Sequence, residues 1–124
     1  MKIYVSHASS FDFQNELYTP LKQALPEHEL FLPHENSNDA NQDAKNIIET
    51  CDIVLAEVSY PSTGQGIELG WADMLHKPII CVYKSGAKPS SAIQIIAASM
   101  HAYTSIERSW LEKFVKDLSV SDIL

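Results

Sequence analysis

Short apolar runs alternate along this chain with longer stretches in which apolar residues recur every three or four positions. The runs at 3–5, 29–32, 52–58, 79–83 and 101–104 read as strands, since each is short and bounded by polar or turn residues. Between the first two, Phe13, Leu17, Leu21 and Leu25 fall at four-residue spacing, which predicts a helix over about residues 10–25. Pro20 interrupts that pattern and predicts a kink or a division, and Pro26 ends it. Further helices are predicted over 42–50, 65–75, 90–99 (capped by Ser90) and 107–118. Residues 33–36 close the second strand, and the polar stretch 36–41 reads as a loop.

Strand and helix thus alternate five times. Such alternation predicts an α/β fold with a parallel sheet covered by helices on both faces. The expected arrangement is a flavodoxin-like three-layer sandwich with strand order 2-1-3-4-5, built as one domain over residues 1–124. Its topological switch lies between the first and third strands, and ligands bind at the carboxyl ends of strands there. The loops Ser6–Ser10 and Ser59–Glu68 meet at that point.

Composition narrows the partners. At 124 residues, about two thirds of the unfolded surface can be buried, enough for a real core. A net charge of −7 with no basic run excludes a nucleic-acid polymer, whose phosphates need clustered Lys and Arg. A small anion still fits, because a local backbone cradle can oppose the global field. Cys51 and Cys81 read as buried free thiols of a reduced, cytoplasmic compartment. No apolar run approaches about 18 residues, so no membrane span is expected. His34, Glu35, Asp39 and Asp43 lie near one another, but their spacing suits no particular metal, and no cofactor is expected.

The most telling stretch runs from Ala56 to Ala72, a strand, then a loop of Pro, Ser, Thr and Gly, then a helix. Such a unit aims backbone N–H groups at whatever sits above the strand. Glu68 is expected in the first turn of that helix. An acidic residue there is favoured by the helix dipole alone. The sharper reading is a carboxylate kept ionised by that terminus and able to attack an anomeric carbon, as in retaining glycosidases. Ser62, Gly64 and Gly66 form either a plain turn or a phosphate nest, and no Gly-Lys-Ser/Thr follows to make a P-loop. Tyr4 is either core or a hydroxyl reaching the sugar or the carboxylate. His34 and Glu35 rim a base pocket or are solvated. His7 donates to an anion or caps the following helix. Trp71 and Trp110 are expected in the core or an interface.

Several segments together resemble the nucleoside 2-deoxyribosyltransferases, and more closely their relatives the 2'-deoxynucleoside 5'-phosphate N-hydrolases. They are Ile3-Tyr4-Val5, Cys51 to Ser59, Pro61-Ser62-x-Gly64-x-Gly66-x-Glu68-Leu69-Gly70, Lys77-Pro78-Ile79, and Ser85-Gly86 followed by Ser91-Ala92-Ile93. The likeness covers most of the chain in order, and its central block is the most specific part. It implies that Glu68 attacks C1' to form a deoxyribosyl-enzyme and that Tyr4 orients it. It implies that Ser62 and the Gly64 and Gly66 amides hold a phosphate. It also implies that Ser91 serves the neighbouring subunit's site in a homodimer. Water would release deoxyribose 5-phosphate, and in transferases a second base takes that place.

Two departures stand out. The family's general acid is an aspartate eight residues before the one that opens the third strand, and here that position is Ala44, with Asp43 beside it. A one-residue offset on a helix turns a side chain by about 100°, so either the helix shifts by one residue and Asp43 serves as the catalytic acid, or the acid is missing. The loop after the first strand lacks the hydrolases' Gly and Arg, so phosphate would depend on Ser6, Ser59, other hydroxyls, amides and His7. That loop, Ser6-His7-Ala8-Ser9, also resembles the opening of Toll/interleukin-receptor-like domains. Three readings follow: a hydrolase of 2'-deoxynucleoside 5'-monophosphates, a deoxyribosyltransferase acting on nucleosides, and a non-catalytic nucleotide-binding or signalling module.

Overall fold

The computed structural model describes residues 1–36 and 40–113, without the side chains of residues 36 and 40–43. Strand β1 (Lys2–His7) leads through a π-helical turn (Gln14–Tyr18) into α1 (Thr19–Ala24). Then come β2 (Glu29–Phe31), α2 (Pro33–Asn36), α3 (Ala40–Thr50) and β3 (Ile53–Glu57). The chain continues with α4 (Thr63–Met74), β4 (Ile79–Lys84), α5 (Ser91–Ile96) and β5 (Ser99–Tyr103), and residues 108–113 are helical. All strand pairs are parallel, in the order β2-β1-β3-β4-β5 expected from the alternation.

The pleat divides the core. Ile3, Val5, Ile53 and Leu55 face one side of the sheet, where Leu17, Leu21 and Leu111 cover them. Tyr4, Val54, Ala56 and Cys81 face the other, under Ile48 of α3 and Leu69 and Ala72 of α4. β1, β3 and β4 are therefore buried on both faces, which is why they read as continuous apolar runs. Cys51 and Cys81 are buried and unpaired.

The elements depart from the sequence pattern in several places, and α3 begins at Ala40, two residues earlier than expected. The expected helix over 10–25 is divided. Pro20 is the second residue of α1, and the Thr19 amide bonds the Gln14 carbonyl five residues back. Proline supplies no N–H and crowds the preceding turn, so the turn before it widens. Residues 33–36 form a helical turn because Pro33 suits a first helical position. Helix α4 begins at Thr63, two residues earlier than expected, with Ser62 as its cap. Helix α5 stops at Ile96 because Ser99–Tyr103 is drawn into the sheet beside β4. Residues 37–39, with Asp39, and the expected helix beyond residue 113 lie outside the described part.

Candidate active site

The carboxyl ends of β1 and β3 open into a cleft of about 410 Å³. One wall is the first half of α4, and across from it stand Pro33, His34 and Ala44. Glu68 lies on the α4 wall. Because α4 starts at Thr63, Glu68 is its sixth residue and sits in the second turn. The expectation of a first-turn carboxylate, ionised by the helix terminus, is corrected by that earlier start. The field of a helix end fades beyond its first turn.

Two hydroxyls of β1 hold Glu68 instead. Tyr4 donates to Oε2 at 2.5 Å and Ser6 donates to Oε1 at 2.8 Å. Burial pushes the Glu68 carboxyl above its ordinary range, while the bonds from Tyr4 and Ser6 and the nearby His34 pull it back. Tyr4 is fully buried and stacks on Phe31 with ring centroids 5.4 Å apart. Burial and the Glu68 charge push its phenol upward, so it remains a donor. Removing that donor in Tyr4→Phe therefore raises the Glu68 midpoint. If an ionised Glu68 drives a reaction, the acid limb of its pH–rate profile moves to higher pH in this variant. An unmoved limb would separate Glu68 from that limb.

His7 does not offer a cation to the cleft. Burial lowers its ring below the ordinary range, and both nitrogens are engaged. Nδ1 lies 2.7 Å from the Ala8 carbonyl, which can only accept, so Nδ1 carries the proton. Nε2 then accepts from the Tyr18 hydroxyl at 2.6 Å, and Tyr18 in turn accepts the His34 amide. The anion-donor reading of His7 gives way to a brace between β1, the π turn and α2.

The remaining expected residues are distributed as follows. Ser62 lines the cleft and caps α4, accepting the Gln65 amide at 3.3 Å. Gly64 also lines it, and a Cβ there would meet open space. The Gly66 amide already donates to the Ser62 carbonyl at 3.0 Å, so it is not free for a ligand, contrary to the nest reading. Ser59 binds the Glu57 carboxylate through both its amide and its hydroxyl. His34 is exposed at the rim of the cleft, whereas Glu35 pairs with Lys22 and lines a separate hollow. Ser91 is exposed at the start of α5. Ala44 is buried and presents its methyl group to the cleft. Asp43 precedes it on α3, with its side chain outside the described part. Among the described residues, the cleft lining includes no Lys or Arg.

Gln65 and Trp71 also line the cleft, and sequence reasoning assigned neither to it. Both lie three residues from Glu68, so they share its helix face once the register of α4 is known. Ser9, from the loop after β1, and Ile67 of α4 also line the cleft.

Comparison with known proteins agrees with this architecture. Residues 4–109 match the family described as nucleoside 2-deoxyribosyltransferase. The 5-hydroxymethyl-dUMP N-hydrolase of Rattus norvegicus is 49% identical over 39 residues, which are 32% of this chain and 24% of that protein. The chain matches less than half the length of the curated relatives it resembles. The CMP N-glycosidase of Clostridium botulinum superposes with a TM-score of 0.68 at 17% identity, covering 94% of this chain and 99% of that one. The 2-deoxyribosyltransferase of Bacillus psychrosaccharolyticus gives 0.67 at 22% identity, over 81% and 85% of the two chains. These structures share the fold, and the match over residues 4–109 places the chain in the nucleoside 2-deoxyribosyltransferase family.

Proposed function

We propose that this protein cleaves the N-glycosidic bond of 2'-deoxynucleoside 5'-monophosphates through a covalent deoxyribosyl-Glu68 intermediate. One observation carries the reading: a partly buried carboxylate, oriented by two hydroxyl donors, stands in the cleft at the switch point of the sheet. A carboxylate oxygen attacks C1', the C1'–N bond breaks, and its electrons leave with the base. Water then attacks C1' of the glycosyl ester, returning Glu68 as a carboxylate, freeing deoxyribose 5-phosphate and giving up the proton that neutralises the departed base. The phosphate is assigned to the amino end of α4, where Ser62 and the first amides meet open space at Gly64. The names of the matched relatives, which include an N-hydrolase and an N-glycosidase, support the same class of bond.

The absence of Lys and Arg from the described lining favours a second reading, transfer of deoxyribose between bases of unphosphorylated nucleosides. One chromatographic screen separates the two. Deoxynucleoside monophosphates and deoxynucleosides are incubated with and without a second free base. Base release from monophosphates without acceptor is expected. Release from nucleosides only when acceptor is present would establish transfer. Ligand-dependent thermal stabilisation with no turnover on any member would make the protein a binding module and end both readings.

We also propose a homodimer. Ile67, Trp71 and Met74 follow one another along a face of α4, Met74 is 78% exposed, and Ile95 of α5 is 84% exposed. We assign this stripe, which starts at the cleft wall, to the contact between two copies, in which Ser91 of one serves the cleft of the other as the family resemblance implies. Light scattering is expected to give twice the chain mass, falling to a monomer in Met74→Glu. A wild-type monomer at assay concentration would remove this assignment. The free buried thiols fit a reduced compartment, which we take to be the cytoplasm.

A further inference from the structure

Gln65 is the third residue of α4 and is 2% exposed. Its sequence neighbourhood, Ser62-x-x-Gln65, has the form of a capping box, in which the glutamine side chain would turn back to the cap residue's amide. It turns inward instead. Nε2 donates to the Ser6 carbonyl at 3.2 Å and to the Glu57 carbonyl at 2.7 Å. A primary amide nitrogen carries two hydrogens, so each carbonyl receives one.

These carbonyls belong to neighbouring strands. Ser6 pairs with Ala56 and His7 with Glu57 in the β1–β3 register, so Gln65 ties the two strands where they part into their loops. The β3 side of the tie is anchored. The Glu57 carboxylate is bound by the Ser59 amide at 2.6 Å, by the Ser59 hydroxyl at 2.9 Å and by Tyr103 of β5. The β1 side is Ser6, whose hydroxyl donates to Glu68. Glu68 sits three residues after Gln65 on the same helix. The contacts therefore close a ring: α4 holds the Ser6 backbone through Gln65, and the Ser6 side chain holds α4 through Glu68.

We propose that Gln65 is a positioning residue, setting the distance between β1 and α4 so that the Ser6 hydroxyl stays on the Glu68 carboxylate. The proposal rests on the reading of Glu68 as nucleophile, and its test is chosen to stand apart from turnover. Gln65→Met keeps the length and approximate volume of the side chain and removes both donors. The groups that face Glu68 are Tyr4 and Ser6 of β1, Tyr18 of the π turn and His34 of α2, and none of them is altered.

The experiment follows the Glu68 carboxyl carbon by NMR through a pH titration in wild type, Ser6→Ala, Gln65→Met and the double variant. Gln65→Met is expected to raise the Glu68 midpoint as Ser6→Ala does, with no further rise in the double variant. Where turnover is present, kcat falls about ten- to hundredfold with KM nearly unchanged. A Glu68 midpoint in folded Gln65→Met equal to wild type overturns the proposal, and so does a fully additive double variant. Should Gln65→Met fail to fold, wild-type protein still decides. The Gln65 side-chain amide protons are expected to exchange slowly with solvent, and exchange at the rate of exposed glutamines overturns the ring. Loss of the proposed function with the titration coupling intact would leave Gln65 in its role and remove only the assigned reaction.

Discussion

Glu68→Ala ends base release while the fold persists. The expected loss is about 10³-fold or more, because a nucleophile removed from a covalent mechanism leaves only binding and electrostatic contributions. No other carboxylate among the described residues lines the cleft, so no neighbour takes over the attack. Glu68→Gln separates chemistry from packing. The amide keeps the shape and one acceptor for Tyr4 or Ser6, yet it cannot form the glycosyl ester. The stability of this variant has a definite sign. Burial raises the Glu68 carboxyl above its ordinary range, so the ionised form is the one the fold disfavours. Wild type loses stability as pH rises from the ordinary carboxylate range through that raised midpoint. The glutamine variant carries no such loss. It should therefore melt at or above the wild-type temperature at neutral pH, and the difference should shrink as pH falls through the midpoint. Residual turnover in Glu68→Ala near the wild-type rate would take the nucleophile away from Glu68. A glutamine variant that melts well below wild type at neutral pH would show that the carboxylate stabilises the fold.

Much of this architecture is legible in the chain because its signals are local or periodic. Strands β1, β3 and β4, buried on both faces, appear as apolar runs, and the intervening helices appear through their spacing. Strand order follows from parallel alternation, and the site location follows from strand order. The Tyr4 hydroxyl reaches Glu68 across 64 residues of sequence, which the family resemblance implies and local pattern does not. What stayed hidden depends on what lies opposite a side chain. Gln65 has the pattern of an ordinary cap, and only the carbonyls of Ser6 and Glu57 below it turn its amide inward. His7 looks like an anion donor until Ala8 and Tyr18 occupy both its nitrogens. Glu35 looks like part of a base pocket until Lys22, thirteen residues away, draws it to another hollow. The start of α4 moved by only two residues, yet this shift took Glu68 out of the first turn and replaced a dipole argument with two hydrogen bonds.

Ala44→Asp is expected to accelerate base departure. Breaking the C1'–N bond leaves negative charge on the base, and a positioned acid relieves it in the transition state by about 10²–10⁴-fold. At the helix position where the family places that acid, this protein presents a buried methyl group facing the cleft that holds Glu68. An aspartate there would stand on a wall of the same cleft as Glu68. Its cost is the burial of a polar group in the cluster formed with Ile48, Leu69 and Tyr4, about 1–3 kcal/mol. A lower melting temperature together with faster turnover is the signature of the installed acid. Burial favours the protonated form of the new carboxyl, so the gain should be greatest at lower pH and fade as the group ionises. Asp43→Asn is the matched control. If Asp43 already supplies the proton, its loss slows turnover by a similar factor and Ala44→Asp adds little. If Ala44→Asp accelerates turnover and Asp43→Asn is silent, the parent protein cleaves its substrate without a dedicated acid. The substrates it turns over fastest should then be those whose bases leave most readily as anions. Ranking release rates against the acidity of the free base gives a steep dependence in wild type, and this should flatten in Ala44→Asp as the new acid carries the developing charge.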